Sequence, residues 1–179
     1  YDNHTHLEIA DGENPMDYRE HLELANQAGI LGGVQVGGSV ETSKWSAATA
    51  AIEPRLVAAV ALHPNVAAEY ENLQELDSAI DEIALLASQP RVRAVGETGL
   101  DYYRMGDRTY EQMEWQRERF RTHIRAAIAV GKPLIVHTRC ASSDTLKILK
   151  EEGASQVGGV MHCFTESWDV AQEAMELGF

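Results

Sequence analysis

The sequence predicts an α/β fold, a (β/α)8 TIM barrel of which this chain carries about six βα units. Glycines and apolar periodicity divide its 179 residues into repeated units of roughly 24 to 41 residues, each an aliphatic run followed by an amphipathic segment. The aliphatic runs are continuous, which is typical of parallel strands covered on both faces. The predicted strands cover residues 1–6, 33–36, 56–62, 92–95, 134–136 and 159–161.

Apolar side chains recur at steps of three and four residues between these strands, as on one face of a helix. The pattern is clearest at Leu76, Ile80, Ile83 and Ala87, and again at Met113, Phe120, Ile124, Ala127 and Ile128. Thr109 and Gln112 have the spacing of a capping box. Glycines at positions 29, 131, 153 and 178 follow helical stretches, where a left-handed residue commonly ends a helix.

The length of the chain bears on how much of a barrel is present. A complete barrel has about 250 residues, so two further units at the same spacing would complete it. We therefore expect residues 1–179 to form a single domain that lacks the last two βα units. The rival fold is an open doubly wound sheet, which six strands can complete. No G-x-G-x-x-G follows the first strand, so the dinucleotide-binding form of that sheet loses its main support.

The composition is that of an ordinary globular protein with an acidic balance. Apolar residues make up 44% and charged residues 24%, which argues against a disordered chain. The net charge of −13 repels polyanions and argues against general coating of nucleic acid. The longest aliphatic run, residues 56–62, is far shorter than the roughly 20 residues of a membrane span. Two cysteines cannot build a disulfide framework, so we expect a cytoplasmic protein with no membrane partner.

Polar side chains stand at the ends of the predicted strands. His4 and His6 project to the same face of the first strand, while Glu97, His137 and His162 each end a later aliphatic run. The carboxyl ends of parallel strands share one rim, so these five side chains are expected to meet there. Four imidazoles with one carboxylate suit zinc, manganese or iron better than calcium. Five ligands exceed the usual set for one catalytic ion, which predicts two ions that are bridged by Glu97 and share a hydroxide.

For other polar side chains near this rim, the sequence allows two possible roles. His63 also ends a strand, and contact with a substrate and simple capping are both open. Arg139 offers a planar fork for phosphate or carboxylate, or forms a salt bridge at the rim. Asp101, expected in a loop after the fourth strand, would orient a ligand histidine or an attacking water rather than bind metal. His21 and His123 lie in predicted helices and are interpreted as structural or exposed.

Four short segments, in this order, resemble the TatD-type deoxyribonucleases, a branch of the metal-dependent hydrolases built on a (β/α)8 barrel. They are DNHTHL at residues 2–7, GETGLDY at 96–102, VHTR at 136–139 and HCF at 162–164, and the likeness covers the whole chain. The resemblance implies two divalent ions (zinc, manganese or magnesium) as cofactors. It implies as metal ligands His4, His6, Glu97, His137 and His162, with Glu97 as the catalytic carboxylate. The resemblance also implies that three side chains lie around the substrate phosphate: His63, Asp101 and Arg139.

The sequence departs from that family's pattern at three places. Glu8 stands where the family commonly has aspartate, and Ala61 where it commonly has glycine. The family's last metal-binding aspartate, in a Glu-Thr-Asp-type motif at the end of the eighth strand, has no counterpart up to Phe179. We expect a part of a longer protein, a chain that lacks residues at both ends, or a shortened relative that has lost the function.

By this resemblance, the favoured function is a metal-dependent hydrolase that cleaves phosphodiester bonds of DNA, as an exonuclease acting on strand ends through a metal-activated hydroxide. A first alternative keeps the metals but takes a small amide, lactone or phosphoester, because related barrels use nearly the same ligands. A second alternative is a non-catalytic binding or assembly module, in which exposed sheet edges pair with another chain. The sequence leaves the oligomeric state open.

Overall fold

Six parallel strands form one curled sheet in the computed structural model, which describes residues 1–9, 16–67, 73–104 and 106–179. The strands are β1 (Asp2–Thr5), β2 (Gly33–Val36), β3 (Leu56–Val60), β4 (Val92–Asp101), β5 (Leu134–Arg139) and β6 (Gly159–Met161). Their order in the sheet is their order in the chain, and each neighbouring pair is parallel. The predicted α/β fold is therefore confirmed, and the strand order lacks the reversal that defines a doubly wound sheet.

Helices connect successive strands and begin and end at residues suited to those positions. They are α1 (Tyr18–Gln27), α2 (Val40–Ile52), α3 (Pro64–Ala67), α4 (Leu73–Ala87), α5 (Glu114–Val130), α6 (Ser142–Glu151) and α7 (Trp168–Glu176). A capping box at Ser39 and Thr42 starts α2, and Gly131, with φ of 64°, ends α5. Within the described ranges, no helix is long and apolar enough to cross a membrane.

The main hydrophobic core lies between the sheet and its helices. Ala58 and Val60 of β3 face this core, while Ala59 between them joins a smaller cluster on the opposite face of the sheet, because successive strand residues alternate in direction. Phe120 and Ile124 of α5 are completely buried in the main core. Each fully buried side chain of this size stabilises the fold by about 2 kcal/mol, so the helices are held to the sheet mainly by apolar burial.

Two strands extend further than the sequence predicts. The fourth strand was expected to end at residue 95 and the fifth at residue 136, but β4 continues to Asp101 and β5 to Arg139. Their register shifts between Val95 and Thr98 and then resumes, so that Asp101 pairs with Arg139. The expectation that Asp101 lies in a loop is therefore wrong. The sequence pattern predicts that Glu97 and His137 end their strands. In the structure these two side chains contact each other, and the backbone pairing of β4 with β5 continues beyond them.

Gly99 allows β4 and β5 to approach each other closely at this point. Its φ is +146°, and a Cβ there would lie 2.0 Å from the backbone oxygen of His137. A side chain at this position is excluded by the neighbouring backbone, which cannot turn aside as a flexible side chain would. This glycine therefore holds the segment that carries Glu97 and Asp101 against the segment that carries His137.

Candidate metal centre

The sheet brings the five predicted ligands to its carboxyl-terminal side. His4 lies in β1 and His6 directly follows it, Glu97 lies in β4, His137 lies in β5, and His162 directly follows β6. The backbone N–H of His162 donates to the oxygen of Val136 at 2.9 Å, which places His162 beside His137. The sheet thus brings His4, Glu97, His137 and His162 into two close groups of possible ligand atoms, whereas His6 belongs to neither group and approaches His4 Nε2 at 3.2 Å. Their role as ligands stays a prediction.

Glu97 stands between two groups of histidines. Its Oε2 lies 3.2 Å from His4 Nε2, and its Oε1 lies 2.9 Å from His137 Nδ1 and 3.7 Å from His63 Nε2. Two sets of side chains have possible ligand atoms within 4.8 Å of one another: His4, Glu97 and His162, and His63, Glu97 and His137. Each set uses the same carboxylate, so one oxygen of Glu97 faces each group.

The donor atoms fit divalent metal ions. His4 Nε2 and His6 Nε2 lie 3.2 Å apart, close to the separation of about 3.4 Å expected for two nitrogens bound to one tetrahedral zinc at about 2.1 Å. Two nitrogen lone pairs at this distance repel each other unless a proton or a cation lies between them. The buried Nδ1 of His4 has no hydrogen-bond partner among the described atoms, so the polar contacts of this ring lie at Nε2, with Glu97 and His6. Imidazole and carboxylate donors are those that zinc, manganese and iron accept.

Burial and ion pairing act in opposite directions on Glu97. Burial alone would raise the pKa of this carboxyl group, but contacts with His137, His4 and His63 outweigh burial and hold the pKa far below its ordinary value of 4.5. Burial lowers the pKa of His137, and its contacts with Glu97 and Asp101 more than compensate, so the net shift is upward. Glu97 is therefore a carboxylate at any physiological pH, as a bridging ligand must be.

The ring of His162 packs against the ring of His4. The two rings are stacked with centroids 3.6 Å apart and an interplanar angle of 11°. Burial and the nearby histidines lower the pKa of His162, which favours the neutral imidazole that binds metal.

His63 both caps a helix and faces the site, so the two readings from the sequence are compatible. Its Nδ1 accepts a hydrogen bond from the backbone N–H of Asn65 at the start of α3, at 3.2 Å. An accepting ring nitrogen carries no proton, so the proton of the neutral ring lies on Nε2, which faces Glu97. His63 therefore presents a hydrogen-bond donor to the centre rather than a lone pair.

Asp101 and Arg139 take different positions. Asp101 is buried, and its Oδ2 lies 3.2 Å from His137 Nε2 and accepts from Asn65 Nδ2 at 3.3 Å. His137 thus has a carboxylate at each ring nitrogen, which fixes the orientation of its ring. Arg139 is exposed, and its guanidinium carbon lies 3.8 Å from the centroid of the Tyr103 ring. This arrangement is a cation–π contact at the rim.

A cleft of about 450 Å³ opens beside the centre. Its walls include the predicted ligands His6 and Glu97, together with Ser39, Thr42, His63 and Val66. A small molecule or one end of a polymer can therefore reach Glu97 from solvent.

Comparison with known proteins gives a consistent picture. The sequence profile of the family described as TatD related DNase matches residues 1–179. An uncharacterized metal-dependent hydrolase TatD of Mycobacterium tuberculosis is 37% identical over 99% of this chain and 66% of its own length. A protein of Cronobacter turicensis named 3'-5' ssDNA/RNA exonuclease TatD is 28% identical over 96% of this chain and 62% of its own length.

A solved structure has the same fold. The crystal structure of YJJV, a TatD homologue from Escherichia coli, superposes with a TM-score of 0.82 at 26% sequence identity, covering 98% of this chain and 65% of that one. The chain spans no more than about two thirds of the length of these proteins. Since the family profile matches every residue and the mycobacterial relative shares more than a third of them, the chain belongs to the TatD family of DNase-related, metal-dependent hydrolases.

Proposed function

We propose that this chain forms the metal centre of a hydrolase that cleaves phosphodiester bonds of DNA, as an exonuclease acting on strand ends. The observation that carries the proposal is the shared carboxylate of Glu97, with one oxygen 3.2 Å from His4 and the other 2.9 Å from His137. Membership of the TatD family and the exonuclease name of the Cronobacter relative support DNA as the substrate.

The side chains divide between two ions in this proposal. His4, His6, His162 and Glu97 would hold one ion, and Glu97 and His137 would hold the other. Bound divalent ions would polarise a phosphoryl oxygen, lower the pKa of an attacking water and stabilise the leaving oxygen. Glu97 remains ionised through this chemistry because its neighbours hold its pKa far below 4.5.

Three further side chains act around the substrate. His63 Nε2–H donates to a phosphoryl oxygen, since the backbone of Asn65 keeps the proton on that nitrogen. Asp101 holds the ring of His137 through the nitrogen opposite Glu97. Arg139 supplies a cation at the rim, where Tyr103 supports its guanidinium group. The proposed roles of these three side chains use contacts and hydrogen-bond donors that are present in the structure.

Electrostatics favours strand ends over long duplexes. The net charge of −13 repels a polyanion at long range, while two dications add four positive charges at the rim alone. Attraction that is confined to one rim engages few phosphates. Binding should therefore be weak and should fall with added salt, with a shallow slope because few phosphates are neutralised.

The test follows the degradation of single-stranded oligonucleotides labelled at the 3' end or the 5' end, with and without EDTA. The protein should shorten them stepwise from one end, and EDTA should stop the reaction. Glu97→Gln should lower the rate by more than about 100-fold, because loss of a side chain that only supports a ligand already costs about 10- to 100-fold. Glu82→Gln is the matched control, because Glu82 pairs with Lys44 on the surface.

Two outcomes would contradict the proposal. The first is nucleolysis that survives both EDTA and Glu97→Gln. The second is metal-dependent hydrolysis of small esters, lactones or amides with no action on the oligonucleotides, which would keep the metal centre and replace the substrate.

A further inference from the structure

A chain of polar contacts runs from Ser46 of α2 through Gln35 of β2 and Glu8 to His6, and Ser46 and Gln35 in it are buried. Gln35 Nε2 donates to Ser46 Oγ at 3.2 Å and to Glu8 Oε2 at 2.5 Å. Glu8 Oε1 lies 3.5 Å from His6 Nδ1. Gln35 Oε1 accepts from the backbone N–H of Leu7 at 2.8 Å, so both hydrogens and the oxygen of this amide are used.

A buried polar side chain lowers the stability of the fold unless its hydrogen bonds are all made. Gln35 and Ser46 are entirely buried, and Gln35 occupies a strand position between valines. A buried amide without partners would cost about 1 to 3 kcal/mol, so a polar residue in this place needs a use. The amide has one fixed orientation, because only Nε2 can donate to the Glu8 carboxylate and only Oε1 can accept from Leu7. Gln35 therefore fixes the Glu8 carboxylate.

We propose that Glu8 and Gln35 are positioning residues that fix the tautomer and the orientation of His6 for metal binding. Glu8 Oε1 lies 3.5 Å from His6 Nδ1, at the outer limit of a hydrogen bond, and favours the tautomer with the proton on Nδ1 and the lone pair on Nε2, the atom 3.2 Å from His4 Nε2. A histidine whose second nitrogen donates to a carboxylate binds metal through the first in a set orientation. The inference rests on the proposed function, since it assigns His6 to an ion.

His6 needs this support more than His4 and His137 do. Its side chain is 38% exposed, whereas those of His4 and His137 are 7% and 19% exposed. An exposed imidazole free in water exchanges between tautomers and rotamers, and each choice that is fixed before binding lowers the entropic cost of binding. The Glu8 contact provides such a constraint at the most exposed of these three rings.

Metal titration is the first test. Wild type should bind two manganese or zinc ions per chain in isothermal titration calorimetry. Glu8→Ala and Gln35→Met should weaken one of the two ions by about 10- to 100-fold and leave the other within threefold. Glu8→Asp keeps a carboxylate and should recover most of the loss. Ser43→Ala is the control, because Ser43 is a buried α2 hydroxyl that bonds to Ala61 and not to this chain of polar contacts.

Nuclear magnetic resonance of the metal-free protein gives the second test. The ¹⁵N shifts of His6 should report the tautomer protonated at Nδ1 in wild type, and a mixture dominated by the Nε2-protonated form in Glu8→Ala. A purely structural role of Glu8 would lower the unfolding temperature without moving these shifts.

The outcomes separate this inference from the proposed function. Two ions bound equally well by wild type, Glu8→Ala and Gln35→Met would overturn the positioning role alone. Failure of wild type to bind any ion would overturn the proposed function. An unchanged His6 tautomer in Glu8→Ala would overturn the positioning role whatever the metal affinity.

Discussion

Acid should destabilise this protein through His123, a histidine outside the metal centre. The ring is 1% exposed in α5. Its Nδ1 donates to the backbone oxygen of Arg119 at 2.8 Å, and its Nε2 accepts from the backbone N–H of Leu62 at 3.1 Å. A second proton on Nε2 would meet the N–H of Leu62 instead of a lone pair. Burial lowers the pKa of His123 from 6.5 to about 4.

The size of the effect follows from this shift. The unfolded chain binds the proton near pH 6.5 and the folded chain near pH 4, so the unfolded state holds more protons in between and the free energy of unfolding falls as the pH falls. At 1.36 kcal/mol for each pKa unit, the complete loss is about 3 kcal/mol below pH 4. About 2 kcal/mol is already lost at pH 5.

Urea unfolding at pH 7.5 and pH 5 in wild type and His123→Gln measures this effect, with EDTA present so that release of metal does not contribute. The variant should be less stable at pH 7.5, because glutamine cannot make both hydrogen bonds in the same geometry. It should lose about 2 kcal/mol less than wild type on acidification. Ile124→Val, a neighbouring core change without a titrating group, should lower stability by about 1 kcal/mol equally at both pH values. Equal losses on acidification in wild type and His123→Gln would refute the reasoning.

Two further predictions concern packing beside the centre. Gly99→Ala should unfold the protein or lower its melting temperature by more than about 10 °C, because the new Cβ would lie 2.0 Å from the backbone oxygen of His137. A melting curve like that of wild type would show that β4 and β5 do not approach each other in this way. Arg117→Met should cost about 2 kcal/mol in urea unfolding, because the buried guanidinium donates to the Tyr102 hydroxyl and to the backbone oxygen of Tyr110, and both would lose this donor. Arg125→Met removes an exposed partner of Glu152 and should lower the free energy of unfolding by less than about 1 kcal/mol. Equal losses for the Arg117 and Arg125 variants would contradict the burial of Arg117.

The sequence predicts the fold well because its main signals are local and repeated. Continuous aliphatic runs give the positions of β2 to β6, and the glycines predicted at helix ends have positive φ at positions 29, 131, 153 and 178. The extents of β4 and β5 were not predictable in this way. Glu97 and Asp101 are polar, and only the three-dimensional structure reveals the histidine and amide partners that let a strand continue through them.

In the candidate site, the predicted ligands could be found from the sequence and the residues that support them could not. Histidines and a glutamate at strand ends carry their own chemical signal, so convergence of the five predicted ligands could be foreseen from βα topology. Supporting residues carry no such signal. Gln35 is a single amide within a short aliphatic run, and its contacts with Glu8 and Ser46 join residues 27 and 11 positions apart. Asn65 and Tyr103 likewise acquire their roles only from the neighbours that folding supplies.

The most direct test of the account is anomalous diffraction from crystals grown with manganese or zinc, recorded on both sides of the metal absorption edge. The account predicts two anomalous peaks, one beside each oxygen of the Glu97 carboxylate, with His4 and His6 at the first and His137 at the second. A single peak, or peaks that do not touch Glu97, would contradict it.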